Sequence, residues 1–211
     1  MDKAATISHD SRQLFNDSFN VSNFLLKTGL KMKNEIETVR ATAELLHRKA
    51  EVEAALDTMA QQINQLLTDR NPLVLCVMNG GLVVAGQLLT RLTMPLTIDT
   101  INASRYHNKT VGADVEWITK PRTSLKNRTI LLVDDILDAG ITLAAIYDYC
   151  VEQGASSVYT AVLLDKDLPQ TKPLTPDFVG LKVADRYVFG YGMDYKGYWR
   201  NADGIYACAG L

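Results

Sequence analysis

The sequence predicts an α/β fold in which a mostly parallel, twisted sheet is flanked by helices. Short, continuous apolar segments alternate with segments of helical periodicity, and glycine, proline or acidic residues follow many of them. Continuous apolar strands separated by helices are typical of a parallel sheet that is covered on both faces. Because ligands in such sheets bind beyond the carboxyl ends of the strands, the residues that follow each strand are the candidates for function.

The composition agrees with a folded domain and argues against two classes of partner. The 211 residues are 47% hydrophobic and 22% charged, with a formal net charge of -2. This charge argues against nucleic acid as the main partner, since binding to its backbone needs clustered Lys and Arg. The sequence contains no apolar run of about 18 residues, and its N-terminus lacks the apolar stretch of a signal peptide. We therefore expect no membrane partner and a cytoplasmic location.

The N-terminal part of the chain differs from the rest. Residues 1–31 mix Asn, Ser and Asp with scattered phenylalanines and show no clean period. We interpret residues 1–31 as an extension that is partly helical or mobile, and we expect residues 32–211 to form a single domain.

The first clear element of that domain is a helix. Apolar residues recur at spacings of four, three, four and three, which places them in one stripe on a helix; they are Val52, Leu56, Met59, Ile63 and Leu66. Asn71-Pro72 ends this helix, because the residue before proline is pushed out of the helical region.

The elements that follow alternate along the chain. We predict strands at 73–78, 96–103, 115–119, 129–133 and 157–164, helices at about 82–92 and 141–153, and a polar loop at 104–114. The strand at 129–133 ends at two acids, and a glycine follows before the next helix begins.

The most informative segment has the sequence TILLVDDILDAGITL and covers residues 129–143. The adjacent carboxylates of Asp134 and Asp135 repel each other, but they can accept hydrogen bonds from a vicinal diol or lie near Mg²⁺. Gly140 lets the backbone turn tightly and approach a ligand. The N–H groups at the start of the next helix, with the Thr142 hydroxyl, form a cradle for phosphate.

Two other interpretations of this segment remain open from the residues alone. The first is a plain strand-to-helix turn with solvated acids, in which Asp138 is the N-cap. The second is the acid pocket of a response regulator, although there the paired acids normally follow the first strand.

The segment VDDILDAGITL resembles the phosphoribosyl pyrophosphate (PRPP) motif of the type I phosphoribosyltransferases, and the similarity to their hypoxanthine-guanine members, particularly the bacterial ones, extends over residues 71–206. The resemblance implies a type I phosphoribosyltransferase fold with a small hood over the active site. It also implies a purine-salvage enzyme that transfers the phosphoribosyl group from PRPP to hypoxanthine or guanine, giving IMP or GMP and pyrophosphate. Mg²⁺ would be the cofactor, and the assembly a homodimer or homotetramer.

The resemblance assigns roles within the motif. It implies that Asp134 and Asp135 bind the ribose hydroxyls and lie near Mg²⁺, and that Asp138 is a general base near N7 of the purine. It implies that the next loop grips the 5′-phosphate through Ala139, Gly140, Ile141 and Thr142. Many relatives have Thr where this chain has Ala139, so one hydroxyl contact is lost.

Two further loops match the family. Asn79 and Gly80 correspond to a loop that meets the pyrophosphate, often through a non-proline cis peptide. Many relatives have Lys or Arg where this chain has Asn79, so only a backbone role is carried over. Ser104, Arg105 and Tyr106 begin a segment similar to the mobile loop that closes over the site and excludes water. The alternatives are an ordinary turn and an ordinary flexible hairpin.

The resemblance places the base pocket downstream. Lys166 would donate to the 6-oxo group, Tyr187 would stack on the purine, and the Val188 backbone would read the base edge. Asp194 would lie near a second Mg²⁺ and the guanine amino group, and Arg200 would contact pyrophosphate. The alternatives are a solvated lysine at 166 and a core aromatic at 187.

Two other functions are kept. One is a ligand sensor of the same fold without catalysis, which acts on nucleic acid. The other is an enzyme of this fold that uses another base, such as adenine, uracil or orotate. The sequence does not decide the preference among hypoxanthine, guanine and xanthine.

Overall fold

The structure is a computed structural model that describes residues 31–105 and 115–210. The chain divides into two compact units, with the boundary between Thr42 and Ala43. In the first unit, residues 31–42 are helical (α1). Residues 1–30 lie outside the described residues, so the extension and the division at residue 31 stay predictions.

The second unit contains three helices and nine strands among its described residues. The helices are α2 (Lys49–Leu67), α3 (Gly81–Leu89) and α4 (Ile141–Glu152). The strands are β1 (Glu44–His47), β2 (Leu73–Val77), β3 (Thr97–Arg105), β4 (Val115–Thr119), β5 (Thr129–Leu137), β6 (Ser157–Asp167), β7 (Phe178–Ala184), β8 (Val188–Phe189) and β9 (Ile205–Ala207). None of the helices that the structure describes could cross a bilayer, since none is both long and apolar enough.

The main sheet has six strands in the order β4-β3-β2-β5-β6-β7. The pairs from β3 to β7 are parallel, and only β4 runs antiparallel to its neighbour. The predicted α/β fold with a mostly parallel sheet is therefore confirmed. Since β3 and β5 lie on opposite sides of β2, the strand order reverses there and opens a crevice beyond the carboxyl ends of β2 and β5.

Alternate residues of the central strands pack on opposite faces of this sheet. One face carries Val74, Cys76, Leu131 and Val133, which pack against α2 and α3. The other carries Leu73, Leu75, Ile130 and Leu132, which pack against α4. The continuous apolar runs in the sequence follow from burial on both faces.

A second, three-stranded antiparallel sheet has the order β1-β9-β8. Glu44 pairs with Ala207 and Val188 pairs with the same residue from the other side. This sheet is the hood that the resemblance implies. Sequence patterns did not predict its strands, because segments of two to four residues show no measurable period.

The end of β5 corrects the sequence prediction. The strand was predicted to stop at Val133, but it continues through both acids to Leu137. Its neighbour β6 is equally extended, so ladder pairs such as Ile136 with Leu164 persist beyond the apolar run. The predicted end of β6 at Leu164 is wrong for the same reason, and Lys166 lies inside that strand.

Helix α2 provides a test of the buried face, because two of its leucines differ in burial. Leu56 is 0% exposed and Leu66 is 48% exposed. We expect Leu56→Ala to lower the free energy of unfolding by about 2–5 kcal/mol, through lost burial and the cavity it leaves. Leu66→Ala, as the matched control, should change it by less than about 0.5 kcal/mol. Urea denaturation measures both, and equal losses would contradict the assignment of this face.

Candidate active site

The candidate site is a cavity of about 530 Å³ beyond the carboxyl ends of β2, β5 and β6. Residues of the main sheet line one side, and residues of the hood line the other. Most residues selected from the sequence line it, namely Asn79, Gly80, Asp134, Asp135, Asp138, Gly140, Ile141, Thr142, Lys166, Tyr187, Val188, Asp194 and Arg200. The fold therefore brings both predicted loops and the predicted base pocket to one place.

The paired acids of β5 are held in a poorly solvated position. Asp134 is half-buried and Asp135 is 7% exposed. The N–H of Asp135 donates to Asp134 Oδ1 at 2.9 Å, and the N–H of Ile136 donates to Asp135 Oδ1 at 2.8 Å. These bonds do not offset burial, which raises the pKa of both carboxyls, and for Asp134 the charge of Asp135 adds to the increase. The alternative of solvated acids is wrong.

The pKa of a nearby thiol, Cys76, is also affected by the charges of these acids. Burial, and then the charges of Asp134 and Asp135, raise the pKa of Cys76 to about 11. This thiol stays protonated at neutral pH and has no nucleophilic character.

Glycines make the packing around the acids possible. A Cβ on Gly80 would lie 2.1 Å from Asp135 Oδ2, and a Cβ on Gly81 would lie 2.5 Å from the Val133 carbonyl oxygen. The peptide bond between Met78 and Asn79 is cis, as the resemblance implies. The loop after β2 therefore lies directly against the end of β5, and a side chain at either glycine would force the two apart.

The loop between β5 and α4 has the form expected of an anion cradle. Gly140 is the N-cap of α4 and has a φ of +76°, a left-handed conformation that favours glycine. It has no side chain with which to cap the helix, and the first turn carries no acidic residue. The N–H groups at this helix start are therefore available to an anion. The alternative in which Asp138 is the N-cap is wrong.

Asp138 instead faces a lysine. Lys166 Nζ lies 3.2 Å from Asp138 Oδ1 and 3.7 Å from Asp185 Oδ1, and its side chain is 11% exposed. The alternative of a solvated lysine is wrong. A donor and an acceptor thus stand side by side at the mouth of the cavity, where a ligand with both kinds of group can meet them.

The hood supplies the opposite wall. Tyr187 is 43% exposed, so it is not a core aromatic, and its ring packs edge-on against Tyr195 with centroids 5.6 Å apart. Arg200 donates to the Gly192 carbonyl at 2.6 Å and lies 2.5 Å from Asp194 Oδ1. Asp194 Oδ2 also accepts from a backbone N–H at 2.6 Å. Both charged side chains are therefore held in place at the rim.

Some selected residues do not line the cavity. Among the described residues 138–142, only Ala139 is absent from its wall. Ser104 lies in β3, opposite Glu116 of β4, and is not part of the wall. Arg105 ends β3, and Tyr106 lies outside the described residues.

The sequence patterns missed several apolar residues of the wall. They are Val77, Met78, Ala103, Ile136, Leu137, Leu143 and Met193. Val77, Met78, Ala103 and Leu143 continue an apolar strand or helix pattern, so nothing in the sequence distinguishes them from core residues. Gly192 does not line the cavity but lies close to the loop after β2, since a Cβ there would lie 2.2 Å from the Gly80 carbonyl oxygen.

Comparison with known proteins agrees with this geometry. Residues 42–196 match the phosphoribosyl transferase domain family. The chain is 32% identical over 171 residues to the hypoxanthine-guanine phosphoribosyltransferase of Bacillus subtilis, covering 81% of this chain and 92% of that protein. It is 26% identical over 175 residues to the hypoxanthine-guanine-xanthine phosphoribosyltransferase of Tritrichomonas foetus, covering 82% and 92%. A crystal structure of a hypoxanthine phosphoribosyltransferase from Staphylococcus aureus superposes with a TM-score of 0.74 at 25% identity, covering 84% of this chain and 94% of that one.

The raised pKa of Asp134 predicts how stability depends on pH. Its ordinary value is 3.8, and burial raises it well above that in the folded chain. The contribution of the protonated form to stability is therefore complete below the ordinary pKa of 3.8. It is lost as pH rises through the raised pKa of the folded chain, because the buried carboxyl must then ionise. We expect Asp134→Asn to raise the melting temperature of the ligand-free protein at pH 7, and the gain to shrink towards pH 4.

Thermal unfolding from pH 4 to pH 8 measures this effect. Asp148→Asn, on the exposed surface of α4, is the matched control and should change stability by less than about 0.5 kcal/mol. A loss of stability at pH 7 in Asp134→Asn would show that the acid stabilises the empty site.

Proposed function

The chain belongs to the phosphoribosyltransferase family, and from that premise we propose that it acts in purine salvage by transferring the 5-phosphoribosyl group of PRPP to hypoxanthine or guanine. The products are IMP or GMP and pyrophosphate. The observation that carries the proposal is the contact of 3.2 Å between Lys166 and Asp138 in the same cavity as the anion cradle and the paired acids.

The anion cradle is the proposed site of the 5′-phosphate. The N–H groups at the start of α4 and the Thr142 hydroxyl would donate to it, and the positive end of the helix dipole would favour its charge. Gly140 leaves the backbone free to approach the phosphate closely. A ligand held at its phosphate is fixed at one end only, so a second contact is needed to orient the ribose.

The paired acids are the proposed second contact. The carboxylates of Asp134 and Asp135 would accept hydrogen bonds from the 2′ and 3′ hydroxyls. With the 5′-phosphate and the diol of PRPP both bound, C1 of the ribose would face the base. The entropic cost of aligning the two reactants would then be met when they bind. Positive charge that develops on the ribose as pyrophosphate leaves would be stabilised by these acids.

The base is the proposed partner of Lys166 and Asp138. The ammonium would donate to the 6-oxo group, and Asp138 would accept a proton near N7 as N9 attacks C1. Adenine presents an amino donor at position 6, so two donors would face each other there, which a partly buried site penalises strongly. Tyr187 would stack on the purine, and the Val188 backbone would contact its edge.

The residues of this site fit magnesium that binds together with the substrate. The described residues contain no group of three or more His, Cys, Asp or Glu side chains that could hold a metal alone. Mg²⁺ commonly binds through one or two carboxylates together with substrate phosphates and water. Asp134 and Asp135 would lie near one such ion and Asp194 near a second, and the metal would neutralise the charge of the leaving pyrophosphate. Arg200 would contact the same anion.

Other expectations stay predictions from the sequence. They are closure by the loop that begins at Ser104, Arg105 and Tyr106, the backbone role of Asn79, assembly as a homodimer or homotetramer, and a cytoplasmic location. No observation on the described residues favours the ligand sensor or a role with nucleic acid.

The substrates can be tested directly by absorbance assays with Mg²⁺, PRPP and each base. We expect turnover with hypoxanthine and guanine, activity with adenine lower by at least about 10⁴-fold because its buried partner is unpaired, and loss of turnover in EDTA that excess Mg²⁺ restores. Absence of turnover with every base, together with measurable PRPP binding and a salt-sensitive shift of nucleic acid in a gel, would favour the sensor instead.

The general base can be tested by Asp138→Asn, which keeps the shape of the side chain and removes its basicity. We expect kcat to fall by about 10²–10⁴-fold, while the dissociation constant for PRPP stays within about twofold, because the proposed PRPP contacts are untouched. Asp185→Asn removes the other carboxylate near Lys166 and should have a much smaller effect on kcat. A kcat close to that of the wild type in Asp138→Asn would remove the general-base assignment.

A further inference from the structure

A second lysine, Lys172, is hydrogen-bonded next to the pair of Lys166 and Asp138 but does not line the cavity. Lys172 follows β6, and its side chain is 13% exposed. Its Nζ donates to the Leu137 carbonyl at 2.8 Å, to the Lys166 carbonyl at 2.5 Å and to Asp165 Oδ1 at 2.5 Å. The three hydrogens of one ammonium are therefore all used, and two of them go to backbone.

These backbone acceptors belong to the residues that hold the site. Leu137 immediately precedes Asp138, and the second carbonyl is that of Lys166 itself. Leu137 and Asp165 are the last register partners of β5 and β6. The Lys172 ammonium thus joins the two strands just beyond the point where their pairing ends.

The stem of Lys172 lies close to the other half of the site. A Cβ on Gly140 would lie 3.6 Å from Lys172 Cβ and 3.4 Å from Pro173 Cδ, which is ordinary packing distance. The ammonium acts on the backbone beside Asp138 and Lys166, whereas the first carbons of the side chain lie near Gly140 of the anion cradle. The two contributions can be separated, because a neutral side chain of similar length keeps the stem.

We propose that Lys172 is a positioning residue that sets the spacing of Asp138 and Lys166 by tying together the carbonyls beside them. The proposal rests on the function proposed above for that pair. Lys172 does not line the cavity, so its effect is transmitted through the backbone. A shift of about 1 Å in a catalytic group can lower the rate by about 10²-fold, so loss of this tie should be visible in the kinetics.

The test compares Lys172→Met with two further variants. Lys172→Met keeps the stem and removes all three donors. Asp165→Asn removes only the ion pair, and leaves the ammonium between the two carbonyls. The double variant, Lys172→Met with Asp165→Asn, has no net charge at these two positions, like the wild-type pair, but lacks the hydrogen bonds from Lys172 to the two carbonyls. Lys182→Met, an exposed lysine on the neighbouring strand β7, is the matched control.

We expect Lys172→Met to lower kcat/KM for the base by about 10–100-fold, with the KM for PRPP changed by less than about twofold because the cradle keeps its packing. The double variant should show the same loss, Asp165→Asn a change of only a few-fold, and Lys182→Met none. If the double variant regains wild-type kinetics, or if Asp165→Asn loses as much as Lys172→Met, the ion pair alone matters and the proposal is overturned.

Binding measurements separate this proposal from the proposed function. By calorimetry, Lys172→Met should bind IMP at least about fivefold more weakly while its affinity for PRPP is retained, as expected when only the base side is displaced. This comparison holds even if the wild type has no turnover, an outcome that would overturn the function alone. If Lys172→Met does not fold, Lys172→Gln takes its place, and equal weakening of both ligands overturns the proposal.

Discussion

The site depends on one constraint, the burial of two adjacent carboxylates in the carboxyl-terminal half of β5. Buried charge is unfavourable unless it is paired or hydrogen-bonded. Asp135 occupies the space that a Cβ on Gly80 would need. A side-chain hydrogen bond with Asp134, backbone N–H groups and the nearby Arg200 favour its charged form, but burial outweighs them and raises its pKa. The glycines after β2 and the rim arginine lie close to this pair, whose unfavourable charge a polar ligand can relieve.

The topology of the sheet explains why the loops meet at this point. β2 and β5 are adjacent and parallel, but α3 and α4 leave them on opposite faces. The two loops therefore diverge from neighbouring strand ends and leave a crevice between them. The hood closes the third side, since the segment after β8 brings Gly192 against the Gly80 carbonyl. Each wall thus comes from a different part of the chain.

The sequence predicted the central strands and the acid–glycine loop because burial on both faces gives continuous apolar runs and because Gly140 has a required conformation. The sequence did not predict how far β5 and β6 continue, because hydrogen bonds between the two strands keep polar residues in the sheet beyond the apolar runs. The hood strands are too short to show a period. Lys172 was missed because two of its three partners are backbone carbonyl oxygens, which leave no trace in side-chain identity.

The two halves of the cavity differ in how they are held. The anion cradle consists of backbone at the start of a helix, with no competing side chain in its first turn. The base side consists of charged side chains that already have partners, Lys166 with Asp138 and Arg200 with Asp194. Asp138 is 55% exposed and Lys166 11% exposed, so on exchange the carboxylate can turn to water whereas the ammonium needs an acceptor from the ligand. In the proposed function, the phosphate would therefore be bound by fixed backbone, whereas recognition of the base would require side chains to change partners.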